Sequence, residues 1–190
     1  MAQVNIVFAG VGGQGIVLAS RIVAQCAFLA GFEVKQSESH GMAQRGGSVE
    51  GHVRFGPCVY APSVHRGDAD ILAGFEELET LRCMGFLKYS GSVILNTRRI
   101  IPSGGKESYP ENVQEILLEK GFRLFPVDGY TIAKNLGNQK AENMVLLGVM
   151  SRLLSFEKEI WEKVIQDLVP ASTIPVNLAA FAHGRDTISL

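Results

Sequence analysis

Hydrophobic and polar residues follow one another along the chain in the order typical of an α/β protein. Val4–Ala9 is a short apolar run rich in β-branched residues that ends at Gly10, which predicts a buried strand running into a turn. From Gly13 to Ala30 the apolar residues fall on nearly every side of a helical period, so we expect a helix packed on more than one side. Gly31 is the expected end of this helix.

The rest of the chain continues the alternation. Strands are predicted at Glu33–Ser37, Ser48–Arg54, Ile71–Phe75, Ser92–Leu95 and Phe122–Val127, and helices at Leu78–Leu87, Pro110–Lys120, Glu142–Leu154 and about Phe156–Leu168. Ser108 to Glu111 has the spacing of a capping box with Pro110 in the first turn, so we expect the second of these helices to start at Ser108. The tail, Pro175–Leu190, is expected to form a last short helix or an arm.

Length and composition indicate one domain. The chain has 190 residues, of which 46% are hydrophobic and 19% charged, and it contains neither an internal repeat nor a low-complexity linker. We therefore predict a single Rossmann-like α/β domain over residues 1–190, with a mainly parallel sheet flanked by helices and a C-terminal helical part at about 140–190.

Charge and hydropathy argue against two kinds of partner. Eighteen basic and nineteen acidic residues leave a net charge of −1, and the longest basic run is the pair Arg98-Arg99, so we expect no nucleic-acid partner. The longest mostly apolar stretch, Ile16–Phe32, is interrupted by polar residues, so we expect no membrane span. The first basic residue is Arg21, so the sequence lacks the positively charged segment with which a signal peptide begins, and we expect no export.

The cysteines indicate the compartment. Cys26, Cys58 and Cys83 are odd in number, widely spaced and without a C-x-x-C pair, so neither a disulfide framework nor a zinc or iron–sulfur site is predicted. We therefore expect the protein to reside in a reducing cytoplasm. Cys26 is expected to be a small buried hydrophobe and Trp161 a packing anchor between helices.

The glycine turn, Gly10-Val11-Gly12-Gly13-Gln14-Gly15, stands between the first strand and the first helix, as a phosphate-binding turn requires. A dinucleotide site also needs a carboxylate at the end of the second strand, and the window from Val34 to Ser37 contains none, which argues against NAD(P) or FAD. The remaining hypotheses are close strand–helix packing alone, a phosphate or pyrophosphate of another ligand, or a ligand presented by a partner.

A second motif, from Ser37 to Val49, reads SESHGMAQRGGSV and is polar and rich in glycine. It follows the second strand, so in a parallel sheet it should meet the glycine turn at the carboxyl edge. His40, Gln44 and Arg45 offer a titratable group, an amide and a fixed cation, which suit a phosphate or carboxylate. The alternative is a structured loop or an intersubunit contact.

These two motifs, followed by Gly67-Asp68-Ala69-Asp70 and Phe75-Glu76, resemble the beta subunit of indolepyruvate:ferredoxin oxidoreductase, within the gamma-subunit family of 2-oxoacid:ferredoxin oxidoreductases. The resemblance covers most of residues 1–155. The sequence HGMAQRGG distinguishes the chain from pyruvate- and 2-oxoglutarate-type relatives, which have a different loop at this place.

The resemblance implies an enzyme that oxidatively decarboxylates arylpyruvates to aryl-acetyl-CoA, with ferredoxin as electron acceptor and coenzyme A as co-substrate. It places the thiamine diphosphate and the iron–sulfur clusters in a large alpha subunit, so this chain would bind neither alone and would be inactive by itself. The residues expected near the ligand are Gly10, Gly12, Gly13, Gln14, Gly15, His40, Gln44 and Arg45. No catalytic or metal-ligating residue is assigned.

Two other functions stay open at this point. One is a stand-alone nucleotide-binding module, and the other is a paralogue that serves only in assembly. Because the first helix is apolar around most of its circumference, homodimerisation of the isolated chain is also plausible.

Overall fold

A computed structural model describes residues 3–40, 46–101 and 109–188, without the side chain of His40. Its centre is a six-stranded sheet in the order β2-β3-β1-β4-β5-β6. The strands are β1 Val4–Val11, β2 Glu33–His40, β3 Ser48–Gly56, β4 Ala69–Gly74, β5 Leu87–Asn96 and β6 Arg123–Val127. β1, β4, β5 and β6 pair in parallel, whereas β3 is antiparallel to both β1 and β2. The predicted α/β fold with a mainly parallel sheet is confirmed.

Seven α-helices lie within the described ranges: α1 Ile16–Leu29, α2 Glu77–Cys83, α3 Val113–Glu119, α4 Gly129–Asn135, α5 Glu142–Leu153, α6 Lys158–Leu168 and α7 Ile174–Asp186. Short 3-10 helices occur at Met84–Phe86, Gln139–Ala141 and Ala171–Thr173. The alternation of strands and helices is therefore as predicted, and the tail forms a helix rather than an arm. The sequence pattern did not predict α4.

The predicted start of α3 is wrong. Ser108 lies outside the described residues, and the helix begins only at Val113. The segment before it is held elsewhere, because the Tyr109 hydroxyl donates to Glu76 and the Glu111 carbonyl accepts from Arg99 Nη2 at 3.2 Å. These contacts fix the chain next to α2, so it cannot yet turn into a helix.

The two faces of the sheet carry two hydrophobic clusters. On one face, α1, α5, α6 and α7 cover buried residues such as Phe8 and Ile94. On the other, α2 and α3 cover a smaller cluster around Val93 and Leu117. Trp161 is fully buried between Phe156 and Phe181, with ring centroids 5.9 and 5.8 Å away, which confirms its role as a packing anchor.

Helices α5 and α7 cross at two glycines. A Cβ on Gly184 would lie 2.0 Å from the carbonyl oxygen of Val145, and a Cβ on Gly148 would lie 2.2 Å from that of Phe181. Neither glycine has a positive φ, so what they supply is the absence of a side chain. The backbones of the two helices therefore lie in direct contact.

Over the part of the chain that the structure describes, every helix is too short or too polar to traverse a lipid bilayer.

Candidate functional site

The glycine turn, residues 10–15, connects β1 to α1 at the carboxyl edge of the parallel strands. Gly13 and Gly15 have φ values of +107° and +75°, conformations that glycine adopts without steric cost. At Gly10 a Cβ would lie 2.7 Å from the Cβ of Phe75 and 2.9 Å from Ile16 Cδ1. The turn thus requires glycine for close packing at its start and for backbone conformation at its end.

Gln14, predicted to lie near the ligand, holds the turn together from inside. Its side chain is buried, its Oε1 accepts from the N–H of Val11 at 2.8 Å, and its Nε2 donates to the carbonyl of Phe75 at 2.7 Å. Phe75 follows β4, so this one amide joins the end of β1 to the end of β4. Asn143 of α5 supports the turn from below, donating from Nδ2 to the carbonyl of Gly15 at 3.3 Å.

The two sequence motifs meet at Gly12. Its N–H donates to the carbonyl of Gly47 at 2.8 Å, and its carbonyl accepts from the N–H of Gly46 at 3.3 Å. The backbone of His40 also lies at this edge, because His40 pairs with Val49 of β3 and Val49 pairs with Gly10. Gln44 and Arg45 lie outside the described residues.

Backbone donors remain available beside a cavity. The N–H groups of Gly13 and Gly15 make no hydrogen bond to any residue that the structure describes, and the first N–H groups of α1 have no partner within the helix. A cavity of about 410 Å³ adjoins them, and its lining residues are Gly12, Gly13, Gly15, Val11, Ile16, Val17 and Val49. Helix N-termini favour anions, so the site can hold a negatively charged group beside an apolar one.

The order of the strands disfavours a dinucleotide. In dinucleotide-binding folds the strand that follows the first helix lies next to the first strand. Here β3 stands between β1 and β2, so the backbone of His40 is two strand spacings, about 10 Å, from Gly10. Glu38, near the end of β2, accepts from Gln36 Nε2 at 2.9 Å on the protein surface.

A buried carboxylate borders the turn at the start of α2. Glu76 is 1% exposed, and its Oε2 accepts from the N–H of Glu79 at 3.0 Å, which caps the helix. Its Oε1 accepts from the N–H of Ile100 at 3.0 Å and from the hydroxyl of Tyr109. Burial, with Glu76 acting in the same direction, raises the pKa of Tyr109. The Phe75-Glu76 pair that follows the two motifs in the sequence therefore has a structural role, because it joins β4 and α2 to the segments around Ile100 and Tyr109.

A second buried carboxylate, Glu142, begins α5. Asn96 Nδ2 lies 3.3 Å from Glu142 Oε2 and 3.1 Å from the carbonyl of Phe75, which links this helix to the end of β4. The Arg98 guanidinium contacts Glu142 and lies 4.4 Å above the ring of Tyr130. Burial raises the pKa of Glu142, and the opposing effect of Arg98 does not cancel it. Sequence patterns gave no sign of this network, because its members are 21 to 46 residues apart.

The thiols and the buried histidine have structural surroundings. Burial raises the pKa of both Cys26 and Cys83 to about 12, whereas Cys58 is exposed. His52 is buried, and its Nδ1 accepts from the N–H of Val64 at 2.9 Å, so its Nε2 donates to Glu50 at 2.7 Å. In the described ranges, no group of three or more His, Cys, Asp or Glu side chains is placed to hold a metal ion.

Known proteins resemble this chain in both sequence and fold. The family model of pyruvate ferredoxin/flavodoxin oxidoreductase matches residues 5–187. Indolepyruvate oxidoreductase subunit IorB of Thermococcus kodakarensis is 40% identical over 97% of this chain and 95% of that protein. The gamma subunit of a keto/oxoacid ferredoxin oxidoreductase from Geobacter sulfurreducens PCA superimposes with a TM-score of 0.74, at 25% identity over 97% of both chains.

A larger protein contains the same fold. The 2-oxoglutarate:ferredoxin oxidoreductase of Magnetococcus marinus, solved with 2-oxoglutarate, coenzyme A and succinyl-CoA bound, matches 98% of this chain and 31% of its own, at 21% identity and a TM-score of 0.79. The resemblance inferred from the two glycine-rich motifs is thereby confirmed. The chain belongs to the pyruvate ferredoxin/flavodoxin oxidoreductase family.

Proposed function

We propose that this chain is the small subunit of an indolepyruvate-type oxidoreductase, which oxidatively decarboxylates arylpyruvates to aryl-acetyl-CoA and passes the electrons to ferredoxin. One observation carries the proposal. A relative named as an indolepyruvate oxidoreductase subunit is 40% identical over nearly the whole of both chains. The free thiols favour a reducing compartment such as the cytoplasm.

Iron–sulfur clusters would belong to a large partner subunit, because the cysteines of this chain do not fit them, and the family resemblance assigns thiamine diphosphate to the same subunit. A four-iron cluster takes four thiolates, and this chain has three cysteines, two of them buried with a raised pKa. This chain would therefore contribute binding surface rather than redox chemistry.

The proposed contribution of the chain lies at its glycine turn. The N–H groups of Gly13 and Gly15 and the N-terminus of α1 would receive a phosphate of coenzyme A or the carboxylate of the 2-oxoacid. The apolar walls of the cavity suit the uncharged part of either molecule. His40, Gln44 and Arg45 belong to the motif that is hydrogen-bonded to this turn through Gly12, so we place them at the same ligand.

Reconstitution with the large subunit tests the proposed function. The chain alone should be colourless and inactive, and the mixture should reduce an electron acceptor in a manner that depends on an arylpyruvate and coenzyme A. Stoichiometric iron in the isolated chain would contradict the division of cofactors. A complex that forms but reduces the acceptor with none of the tested 2-oxoacids would instead support a paralogue used only in assembly.

The ligand role of the motif is tested by Arg45→Ala in the reconstituted complex. Loss of a charge-assisted contact should weaken the use of coenzyme A or 2-oxoacid by about 10- to 150-fold. Arg152→Ala, an exposed arginine near the end of α5 without an ion pair in the described residues, is the matched control. Normal kinetics for both substrates would refute the ligand role, and loss of co-purification would show an intersubunit contact.

Self-association of the isolated chain remains a prediction. Val17 and Phe28 of α1 are 48% and 63% exposed, so the helix keeps apolar surface that a partner would cover. Light scattering at tens of micromolar should show a dimer or larger species. A strict monomer with no affinity for the large subunit would contradict it.

A further inference from the structure

Strand β5 departs from regular pairing near its start. Ala69 of β4 pairs with Leu87 and Ile71 pairs with Ser92, so residues 88–91 lie opposite Asp70 alone. Within this bulge Ser90 has a φ of 56°, and it is the one non-glycine residue with positive φ among those described. Bulges and strained residues of this kind occur preferentially at functional sites. The irregularity therefore points to a functional role for this part of the sheet.

The bulge forms one wall of a cavity of about 200 Å³ at the amino-terminal edge of the parallel strands. Its polar lining consists of Asp70, Lys88, Ser90, Ser92 and Arg123, and apolar side chains from β1, β4 and the end of α5 complete it. The glycine turn lies at the other end of β1, an eight-residue strand about 25 Å long. An occupant of this cavity would therefore not compete with a ligand at the turn.

The charges in the cavity leave one cation without a counter-charge. Lys88 contacts one oxygen of Asp70, and the other oxygen accepts from the N–H of Asn5 at 2.8 Å. Arg123 Nη2 donates to the buried Ser92 Oγ at 2.8 Å, and no carboxylate of the described residues pairs with Arg123. A guanidinium with further free donors, beside the hydroxyl of Ser92, is suited to an oxyanion.

We propose that this cavity is a second ligand site, which binds a small carboxylate that carries a short apolar chain. Arg123 receives the carboxylate in its planar fork, and the ammonium group of Lys88 in the bulge supplies further donors. The apolar wall that includes Leu154 accepts the chain of the ligand. Inorganic phosphate shares the oxyanion chemistry but has no apolar part, so it distinguishes the two contributions.

Nuclear magnetic resonance of the isotope-labelled full chain tests this. Butyrate and inorganic phosphate are titrated separately at constant ionic strength, with sodium chloride as the reference, and the amides of residues 88–92 and the Arg123 Nε–H are followed. Butyrate should shift these signals saturably with a Kd of about 1 to 10 mM, and more tightly than phosphate. Tighter binding of phosphate would overturn the assignment to a carboxylate, and equal shifts with chloride would overturn the site altogether.

Variants locate the ligand. Arg123→Gln should weaken butyrate binding about tenfold or more, whereas Arg21→Gln, an exposed arginine on α1, should leave it unchanged. If Arg123→Gln fails to fold, Lys88→Gln tests the same cavity from the bulge, and a severalfold loss is expected. Butyrate binding that is unchanged in a folded variant would refute the proposal.

Discussion

Gln14 provides a sharp test of whether the glycine turn is held by its own side chain or kept ready for a ligand. Gln14→Met preserves the volume of the side chain and removes both of its hydrogen bonds. The N–H of Val11 would then be buried without a partner, which costs about 1 to 3 kcal/mol. The carbonyl of Phe75 keeps Asn96 Nδ2 at 3.1 Å, so its loss is only about 0.5 to 1.5 kcal/mol. The total is a loss of about 1.5 to 4.5 kcal/mol in the free energy of unfolding.

Urea unfolding of the full chain measures this loss. The midpoint should fall by about 0.5 M or more, given a dependence of about 1 to 3 kcal/mol per molar urea. Gln25→Met, at an exposed position on α1, is the matched control and should remain within about 0.5 kcal/mol of the unmodified chain. If Gln14→Met is as stable as Gln25→Met, the side chain does not hold the turn, and the expected role at the ligand becomes the better explanation.

Three further outcomes follow from the structure. Gly184→Ala should lower the free energy of unfolding, measured in urea, by about 1 to 3 kcal/mol, because the clash with a backbone carbonyl outweighs the gain in helix propensity of about 1 kcal/mol. His183→Ala, at an exposed position on the same helix, is the control. Equal stability of the two variants would refute the close crossing of α5 and α7. The raised pKa of Glu142 means that the folded chain binds the carboxyl proton more tightly than the unfolded chain, so the free energy of unfolding should fall as the pH rises above 4.5. Glu142→Gln should make the free energy of unfolding less dependent on pH. The same pH dependence in both proteins would contradict the burial effect. Iodoacetamide should modify only Cys58 in the folded chain and all three cysteines in urea, as read by mass spectrometry, and rapid modification of a second thiol would contradict the burial of the other two.

The sequence predicted the elements whose signals are local. β1 and the first helix were predicted because a β-branched run, a glycine turn and a long apolar segment follow one another directly. α4 was missed because its seven residues begin with glycine and include few apolar positions. Its one signal was Asp128, whose carboxylate caps the helix by accepting from the N–H of Thr131 at 3.0 Å.

The sequence predicted that the two glycine-rich motifs meet, but it did not predict the contacts around the glycine turn, since these join distant parts of the chain. The partner of Gln14 is 61 residues away, at Phe75, and nothing in the local pattern indicates which carbonyl its amide would meet. The same holds for Glu76, which accepts from Ile100 and from Tyr109. Hydrophobic periodicity identifies which face of an element is buried, but it does not identify the polar partner across the sheet.

The direction of β3 shows how a short connection shapes the site. Only residues 41–47 separate β2 from β3, whereas a parallel crossover needs about a dozen residues or more, so the chain must turn back and pair antiparallel. This return inserts β3 between β2 and β1 and displaces the end of β2 from the position that a dinucleotide ribose would require. It also brings Gly46 and Gly47 against Gly12. The connection that disfavours a nucleotide module is therefore the one that carries the second motif to the glycine turn, which is where a ligand shared with a partner subunit would need it.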